Sequence, residues 1–252
     1  MTNHNAQTIA EVDGTLKPEL PVSVDILVPS YRGEKYLPLC LACLGQSSWR
    51  HFQVHVSIDG PCANRDQIED LARYYNLPVT LEVTGSHVGL AENRRRLLRR
   101  GHSNTILWID DDVLVSPDTL ERLLQFAPLL GSEACAVTGV ASNLLGYPRV
   151  ACGLGLTMFH RDALLGDLAL DFSFGMNTGE DWLWTARLSY KYGLPIRFVP
   201  VSIMHLGEGR RQKRYGRHWN SDMFLSLTSK EFYEANREEL ELSYPVYNYL
   251  DY

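Results

Sequence analysis

Apolar residues fall in short runs whose period switches repeatedly along the first half of the chain. Val22-Ser-Val-Asp-Ile-Leu-Val28 is rich in β-branched residues and is closed by Pro29-Ser30-Tyr31, which predicts a strand with a breaker at its carboxyl end. Tyr36 to Leu44 carries apolar residues at helical spacing. Phe52 to Ile58 alternates and runs into Asp59-Gly60-Pro61, a second strand and turn. Gln67 to Tyr75 reads as a helix, Val79 to Val83 as a third strand, and Ala91 to Arg100 as a helix with Gly101 as its expected C-cap. Thr105 to Ile109 is an apolar fourth strand leading into Asp110-Asp111-Asp112. Ser116-Pro117-Asp118 predicts a helix start, with Pro117 at N1 and the helix reaching Leu130.

Strands alternating with helices specify a parallel, doubly wound sheet. Ligands of such sheets bind at the carboxyl ends of the strands. Ser30-Tyr31, Asp59 and Asp110-Asp111-Asp112 all fall at those ends, so three polar groups from distant parts of the sequence are expected on one edge.

The second half is less regular. Ala136–Ser142 and Gly153–Phe159 read as strands, and Gly179-Glu180-Asp181 opens a helix, Trp182–Tyr192, ended by Gly193. Ile196–Val201 is a further strand leading to His205. Residues 207–218 turn basic, Thr228–Leu242 is helix-like, and the first 20 residues form a polar, flexible lead-in.

Composition narrows the classes. The chain has 252 residues, 45% hydrophobic and 21% charged, with a formal net charge of −6. This suits a globular chain rather than a disordered or fibrous one, and an acidic total argues against nucleic acid as a partner. No run approaches the ~20 apolar residues of a membrane helix, and the polar start lacks the apolar core of a secretory signal. The five cysteines show no disulfide framework; Cys40 and Cys43 sit among leucines and read as core thiols. A cytoplasmic location, free or at a membrane surface, is expected.

Three consecutive carboxylates at a strand end repel one another and raise one another's pKa. A divalent cation relieves that repulsion, and hard cations take oxygen ligands together with substrate phosphates. Glu180-Asp181 at a helix start complements the helix dipole as readily as it does chemistry. His205 suits a turn or core as well as a metal.

Taken together and in order, these segments resemble the inverting, family 2 nucleotide-sugar glycosyltransferases. The resemblance rests on Ile26-Leu-Val-Pro-Ser-Tyr31, Tyr36-Leu with Cys40-Leu41 and Leu44-Gly-Gln46, Ser57-Ile-Asp59-Gly60, and His87-Val-Gly-Leu-Ala91 with Arg94. It continues through Ile106 to Asp112 with Ser116-Pro117, then Gly179-Glu-Asp181, Arg187-Leu188, Gly193, Pro200 and His205. Arg32, Ile58 and Arg95 depart from the family pattern, and the processive-synthase Q-x-x-R-W is missing, which points to single additions.

The resemblance implies a GT-A fold: a Rossmann-like, doubly wound mixed sheet in one domain spanning 21–252. It puts a nucleotide-binding half at about 21–130 and an acceptor half at about 131–252. It implies a nucleoside-diphosphate sugar donor, UDP favoured, and an acceptor hydroxyl on a sugar, glycolipid or small molecule. Pro29 and Tyr31 are expected to wall the base pocket, Asp59 to accept the base imide N–H, and Arg94 to approach the base or diphosphate. Asp110 or Asp111 is expected on the ribose, and Asp112 with His205 on a Mn²⁺ or Mg²⁺ ion. Asp181 is the expected general base. The basic stretch, with Arg210 and Arg214, is expected to close as a lid over the diphosphate. The competing readings are a non-catalytic nucleotide-sugar-binding protein and a sugar nucleotidyltransferase on a similar fold.

Overall fold

The computed structural model describes residues 23–141, 155–162, 185, 188 and 192–206, with Ala91, Val140, Ala141 and His205 described by backbone alone. Among the described residues, nine strands follow one another with four α-helices: β1 (Val24–Tyr31), α1 (Leu37–Gly45), β2 (Phe52–Asp59), α2 (Arg65–Tyr74), β3 (Val79–Val83), α3 (Leu90–Leu98) and β4 (Thr105–Ile109). Then come β5 (Val113–Val115), α4 (Thr119–Leu124), β6 (Ala136–Ala141), β7 (Leu156–His160), β8 (Ile196–Val201) and β9 (Ile203–His205).

Seven strands form one sheet in the order β3-β2-β1-β4-β7-β6-β8. β1 is parallel to both β2 and β4, β2 is parallel to β3, and β6 to β8, whereas β7 runs antiparallel to β4 and β6. The mixed, doubly wound sheet expected from the sequence is therefore present. β5 and β9 pair antiparallel as a separate two-stranded sheet.

The side-chain alternation of β1 and β4 divides the core into two layers. Ile26, Val28, Leu107 and Ile109 face a cluster completed by Leu37, Leu41 and Leu44 of α1 and Ile68 of α2. Leu27, Ile106 and Trp108 face the other side, where Leu97 and Leu98 of α3, Phe159 and Leu188 close over them. Strands covered on both faces read as near-continuous apolar runs, and each fully buried Leu or Ile contributes about 1.5–3 kcal/mol.

Several details differ from the sequence expectation. β1 does not end at Val28 but runs through the expected breaker Pro29-Ser30 to Tyr31; Pro29 is tolerated because β1 there pairs with β2 alone, pairing with β4 having ended at Leu27. The helix after Ser116 stops at Leu124, and a 3₁₀ turn follows at Ala127–Leu129; Pro128 cannot donate a helical N–H and clashes with the preceding turn. Its N-cap is Asp118, so Pro117 lies before the helix rather than at N1. Arg99, not Gly101, caps α3. Gly101 is needed for space instead, because a Cβ there would strike the carboxylate of Asp25 and the guanidinium of Arg161. Gly101→Ala is expected to lower stability by about 1–3 kcal/mol, read as a lower urea midpoint; an unchanged midpoint would mean the two charged groups can move aside.

Thr185, Leu188 and Tyr192 are helical, and Gly193 follows Tyr192 with φ 61°. Cys40, Cys43, Cys62 and Cys135 are free thiols. Burial, with the nearby Asp111, pushes the Cys40 thiol well above its ordinary value, which suits an inert core residue. Among the described residues, no helix is long and apolar enough to cross a membrane.

Candidate active site

The strand order reverses between β1 and β4, because β2 and β3 extend from β1 on one side while later strands build out from β4. Pairing of β1 with β4 ends at Leu27↔Trp108, whereas β1 stays paired with β2 as far as Tyr31↔Asp59. Beyond Leu27 a crevice therefore opens at the carboxyl edge, the position where open α/β sheets hold ligands.

On the β1 side, Pro29 is buried in the strand and Tyr31 is exposed at its tip. Arg32 follows in a left-handed conformation, φ 63°, held by its N–H donating to the Asp59 carbonyl at 3.0 Å. Its guanidinium lies 5.2 Å from the Tyr31 ring centre. A non-glycine residue in this region costs about 1–3 kcal/mol and marks a turn held by its surroundings.

Asp59 ends β2 with its side chain only 4% exposed. One carboxylate oxygen accepts the Val88 N–H at 2.6 Å and the other the Gly89 N–H at 3.0 Å. The Nδ1 of His87 lies 2.8 Å from the second oxygen. Gly89 has φ 88°, a conformation that admits the turn into α3 at little cost only for glycine. One turn into α3, the Asn93 amide donates to the carbonyls of Ser57 at 2.9 Å and Ser30 at 3.4 Å, tying the helix to both strand ends. His87 and Asn93 were not singled out for roles from the sequence. A polar residue on the buried face of α3 was the signal for Asn93.

The β4 side carries the three carboxylates. Asp110 lies 3.5 Å from the Arg94 guanidinium, which is itself 3% exposed and sits 5.9 Å from the Trp108 ring centre. Asp111 accepts a 2.5 Å hydrogen bond from the Ser30 hydroxyl across the crevice. Burial, with the charges of Asp112 and Asp110, pushes the Asp111 carboxyl up to about 7, against the opposing Ser30 bond. Asp112 leads directly into β5. Its carbonyl accepts the Leu206 N–H at 2.8 Å, and Val113 pairs with His205. The small sheet thus brings the backbone of His205 beside that of Asp112.

Tyr31, Asp59, Arg94, Asp110, Asp111 and Asp112 are therefore brought to one edge. Arg94 is buried against Asp110 rather than open to the crevice. Asp181, Arg210 and Arg214 lie outside the described residues. Among the described residues no group of three or more His, Cys, Asp or Glu side chains is arranged to hold a metal ion. Magnesium-type sites commonly use one or two carboxylates and complete their shell with substrate oxygens and water. The crowded carboxylates, one of them pushed to about 7, fit such a partial site.

The strand order makes the chain an α/β protein of the doubly wound type. The chain belongs to glycosyltransferase family 2: the Glycosyl transferase family 2 model matches residues 25–176, and its fold is GT-A. Poly(ribitol-phosphate) beta-N-acetylglucosaminyltransferase TarS of Staphylococcus aureus is 23% identical over 231 residues, 84% of this chain and 39% of that protein. An uncharacterised glycosyltransferase of Haemophilus influenzae is 30% identical over 102 residues, 40% of this chain and 33% of its own length. The chain thus spans well under half the length of the curated relatives it matches. Among solved structures, S. aureus TarS 1–349 in complex with UDP-GlcNAc has a TM-score of 0.58 at 17% identity, covering 88% of this chain and 66% of that one. The mannosyltransferase PcManGT of Pyrobaculum calidifontis, in complex with GDP-Man and Mn²⁺, has a TM-score of 0.53 at 18% identity, covering 70% of this chain and 54% of that one.

Proposed function

We propose that this chain is a metal-dependent, inverting glycosyltransferase that moves a sugar from a nucleoside-diphosphate sugar to an acceptor hydroxyl. The observation that carries the reading is the meeting of Tyr31, Asp59 and the Asp110–Asp112 carboxylates at the β1/β4 crevice, with His205 beside Asp112 along the backbone. UDP is the favoured carrier, because TarS is seen with UDP-GlcNAc and because a carboxylate at position 59 suits a base with an imide N–H.

In this reading Tyr31 stacks on the base above the backbone of Pro29, and Asp59 accepts the imide proton. Asp111 or Asp110 receives the ribose hydroxyls, the latter lying beside Arg94. Asp112 and His205 would hold a Mn²⁺ or Mg²⁺ ion, which when bound offsets charge on the departing diphosphate. Asp181 takes the proton from the acceptor hydroxyl as that oxygen attacks the anomeric carbon. A single displacement with one base inverts the centre. Arg210 and Arg214 close over the diphosphate and exclude water. The nucleotide half extends to about residue 130 and the acceptor half follows. Free thiols at Cys40, Cys43, Cys62 and Cys135 suit a reducing, cytoplasmic setting, free or against a membrane carrying a lipid-linked acceptor.

A thermal-shift screen of UDP-, dTDP- and GDP-sugars with Mn²⁺ tests the donor. A ligand at 100 times its Kd stabilises by about 2.7 kcal/mol, so one carrier is expected to raise Tm clearly. Donor hydrolysis or transfer is expected to stop in EDTA and return with Mn²⁺ or Mg²⁺; full turnover in chelator would reject the metal role. Stabilisation without turnover would instead favour the non-catalytic binding protein. Release of pyrophosphate from a nucleoside triphosphate and a sugar phosphate would favour the nucleotidyltransferase.

A further inference from the structure

A second polar concavity lies on the flank of the sheet. β3 is an edge strand whose Val79, Leu81 and Val83 pack on the layer that α1 and α2 cover. Alternation then sends Thr80 and Glu82 to the α3 side. α3 turns its apolar residues, Leu97 and Leu98, towards Leu27, Ile106 and Trp108. Glu92, Arg96, Arg99 and Arg100 stand at i, i+4, i+7 and i+8, a spacing that groups them along one side of the helix. Between that side and β3 a groove of about 360 Å³ opens, lined by Glu82, Glu92, Arg96, Arg99 and Arg100. Such a volume suits a small ligand or one group of a larger one.

Three guanidiniums meet two carboxylates there, a local excess of cation in a chain whose net charge is −6. Glu82 lies 2.8 Å from Arg100 Nε and 3.4 Å from a terminal nitrogen of Arg96, and Glu92 lies 3.4 Å from Arg96 Nε. That Nε is buried, yet it makes no hydrogen bond among the described residues. Arg99 is exposed and has neither an ion pair nor a side-chain hydrogen bond among the described residues. A guanidinium carries five N–H donors in a fixed fork, so contact with two carboxylates fixes Arg96 and Arg100 and leaves donors on both. We propose that this groove is an anion site for a phosphate group, with Arg99 as its principal ligand and Arg96 and Arg100 beside it. Phosphate oxygens accept paired N–H bonds from guanidinium forks, and a concave site collects several forks on one group. The groove is separate from the donor crevice, since Arg96 and Arg99 stand roughly 10 and 15 Å along the helix axis from Gly89 at ~1.5 Å per residue. The inference therefore does not depend on the transferase reading.

Calorimetry of the full chain with inorganic pyrophosphate, in low-salt buffer containing EDTA, tests this. The chelator removes any metal that would carry the probe to Asp110–Asp112. Wild type is expected to bind, with an affinity that falls as added salt screens the charges. Arg99→Glu is expected to bind about tenfold more weakly or worse, while its Tm and its Tm rise with UDP-sugar and Mn²⁺ match wild type. No binding to wild type, or equal pyrophosphate affinity in the two proteins, would overturn the proposal. So would a matching loss of UDP-sugar binding in the variant, because the two sites would then be one. Should Arg99→Glu fold poorly, Arg99→Gln removes the same charge without adding another, and an unchanged affinity there overturns the proposal too. Sedimentation with phosphatidylglycerol and with phosphatidylcholine vesicles separates the sources of the phosphate. Retention of wild type but not the variant on the anionic vesicles alone assigns a lipid headgroup; pyrophosphate binding without retention assigns a soluble phosphate.

Discussion

Asp181→Asn is expected to lower the rate of sugar transfer by about 10²–10⁴-fold while leaving donor affinity nearly unchanged. The carboxamide fills the same volume as the carboxylate but has no basic oxygen to take the acceptor proton. In the proposed reading the donor is held at the crevice between β1, β2, β4 and the α3 entry loop, so a change of the base alone is expected to leave donor binding intact. The Tm rise on adding nucleotide sugar should therefore match wild type while turnover collapses. Retained turnover would remove Asp181 from the role of base. Loss of donor binding would assign it to the donor site instead.

Arg161→Ala is expected to cost about 3–5 kcal/mol of folding stability. Arg161 sits at the opposite edge of the sheet from the site and is buried. Its Nε donates to the Ser103 carbonyl at 2.7 Å, one terminal nitrogen to the Leu98 carbonyl at 3.1 Å, and the other to the Asp25 carboxylate at 2.5 Å. Asp25, 3% exposed, also accepts the Ser103 N–H at 2.7 Å and lies 3.3 Å from Nε2 of His55. Truncating the arginine leaves two carbonyls and a buried carboxylate short of partners. For a chain of this size the loss corresponds to a Tm drop of about 6–20 °C. A drop under 2 °C would show that water replaces the guanidinium.

The same network sets an acid limit. Burial alone would raise the Asp25 carboxyl, but the His55 and Ser103 hydrogen bonds and the charges of His55 and Arg161 outweigh it and hold the group at about 2, below its ordinary 3.8. A depressed carboxyl contributes stability that is complete above the unfolded value and is lost as pH falls through the folded one. About 2 kcal/mol should therefore disappear between pH 4 and pH 2. Urea midpoints of wild type and Asp25→Asn across that range check it: the variant should lack this component of the slope.

How much of this was legible depends on how local each cause is. β3, β4 and β8 have the bounds the sequence predicts: β4 is buried along its whole length and leaves an unbroken hydrophobic signal, while the edge strands β3 and β8 alternate apolar and polar residues between turn signals. The order of strand and helix, and with it the edge that collects Tyr31, Asp59 and Asp110–Asp112, follows from the same signal. The extent of α4 was misread because its apolar spacing runs on past Leu124 while Pro128 interrupts the backbone. β5 and β9 carry three residues each, too few to show a period, and they pair across some 90 positions.

Asp25 and His55 look like outward-facing polar residues of two strands. Only the arrival of Arg161, 136 positions from Asp25, makes their burial tolerable. Gly101 carried a helix-capping signal but is required by the closeness of that same pair. His87 lay in a recognisable segment, yet its contact with Asp59 exists only where the α3 entry loop folds back on the end of β2.

By itself, the sequence determined the alternation of elements, the doubly wound class and the family, because periodicity and turn chemistry act over a few residues. The tertiary structure alone decided which carboxylate meets which donor. Ser30 is set against Asp111, His87 against Asp59, and His205 beside Asp112. Those pairings depend on strand order and register between distant segments, and no local pattern encodes them.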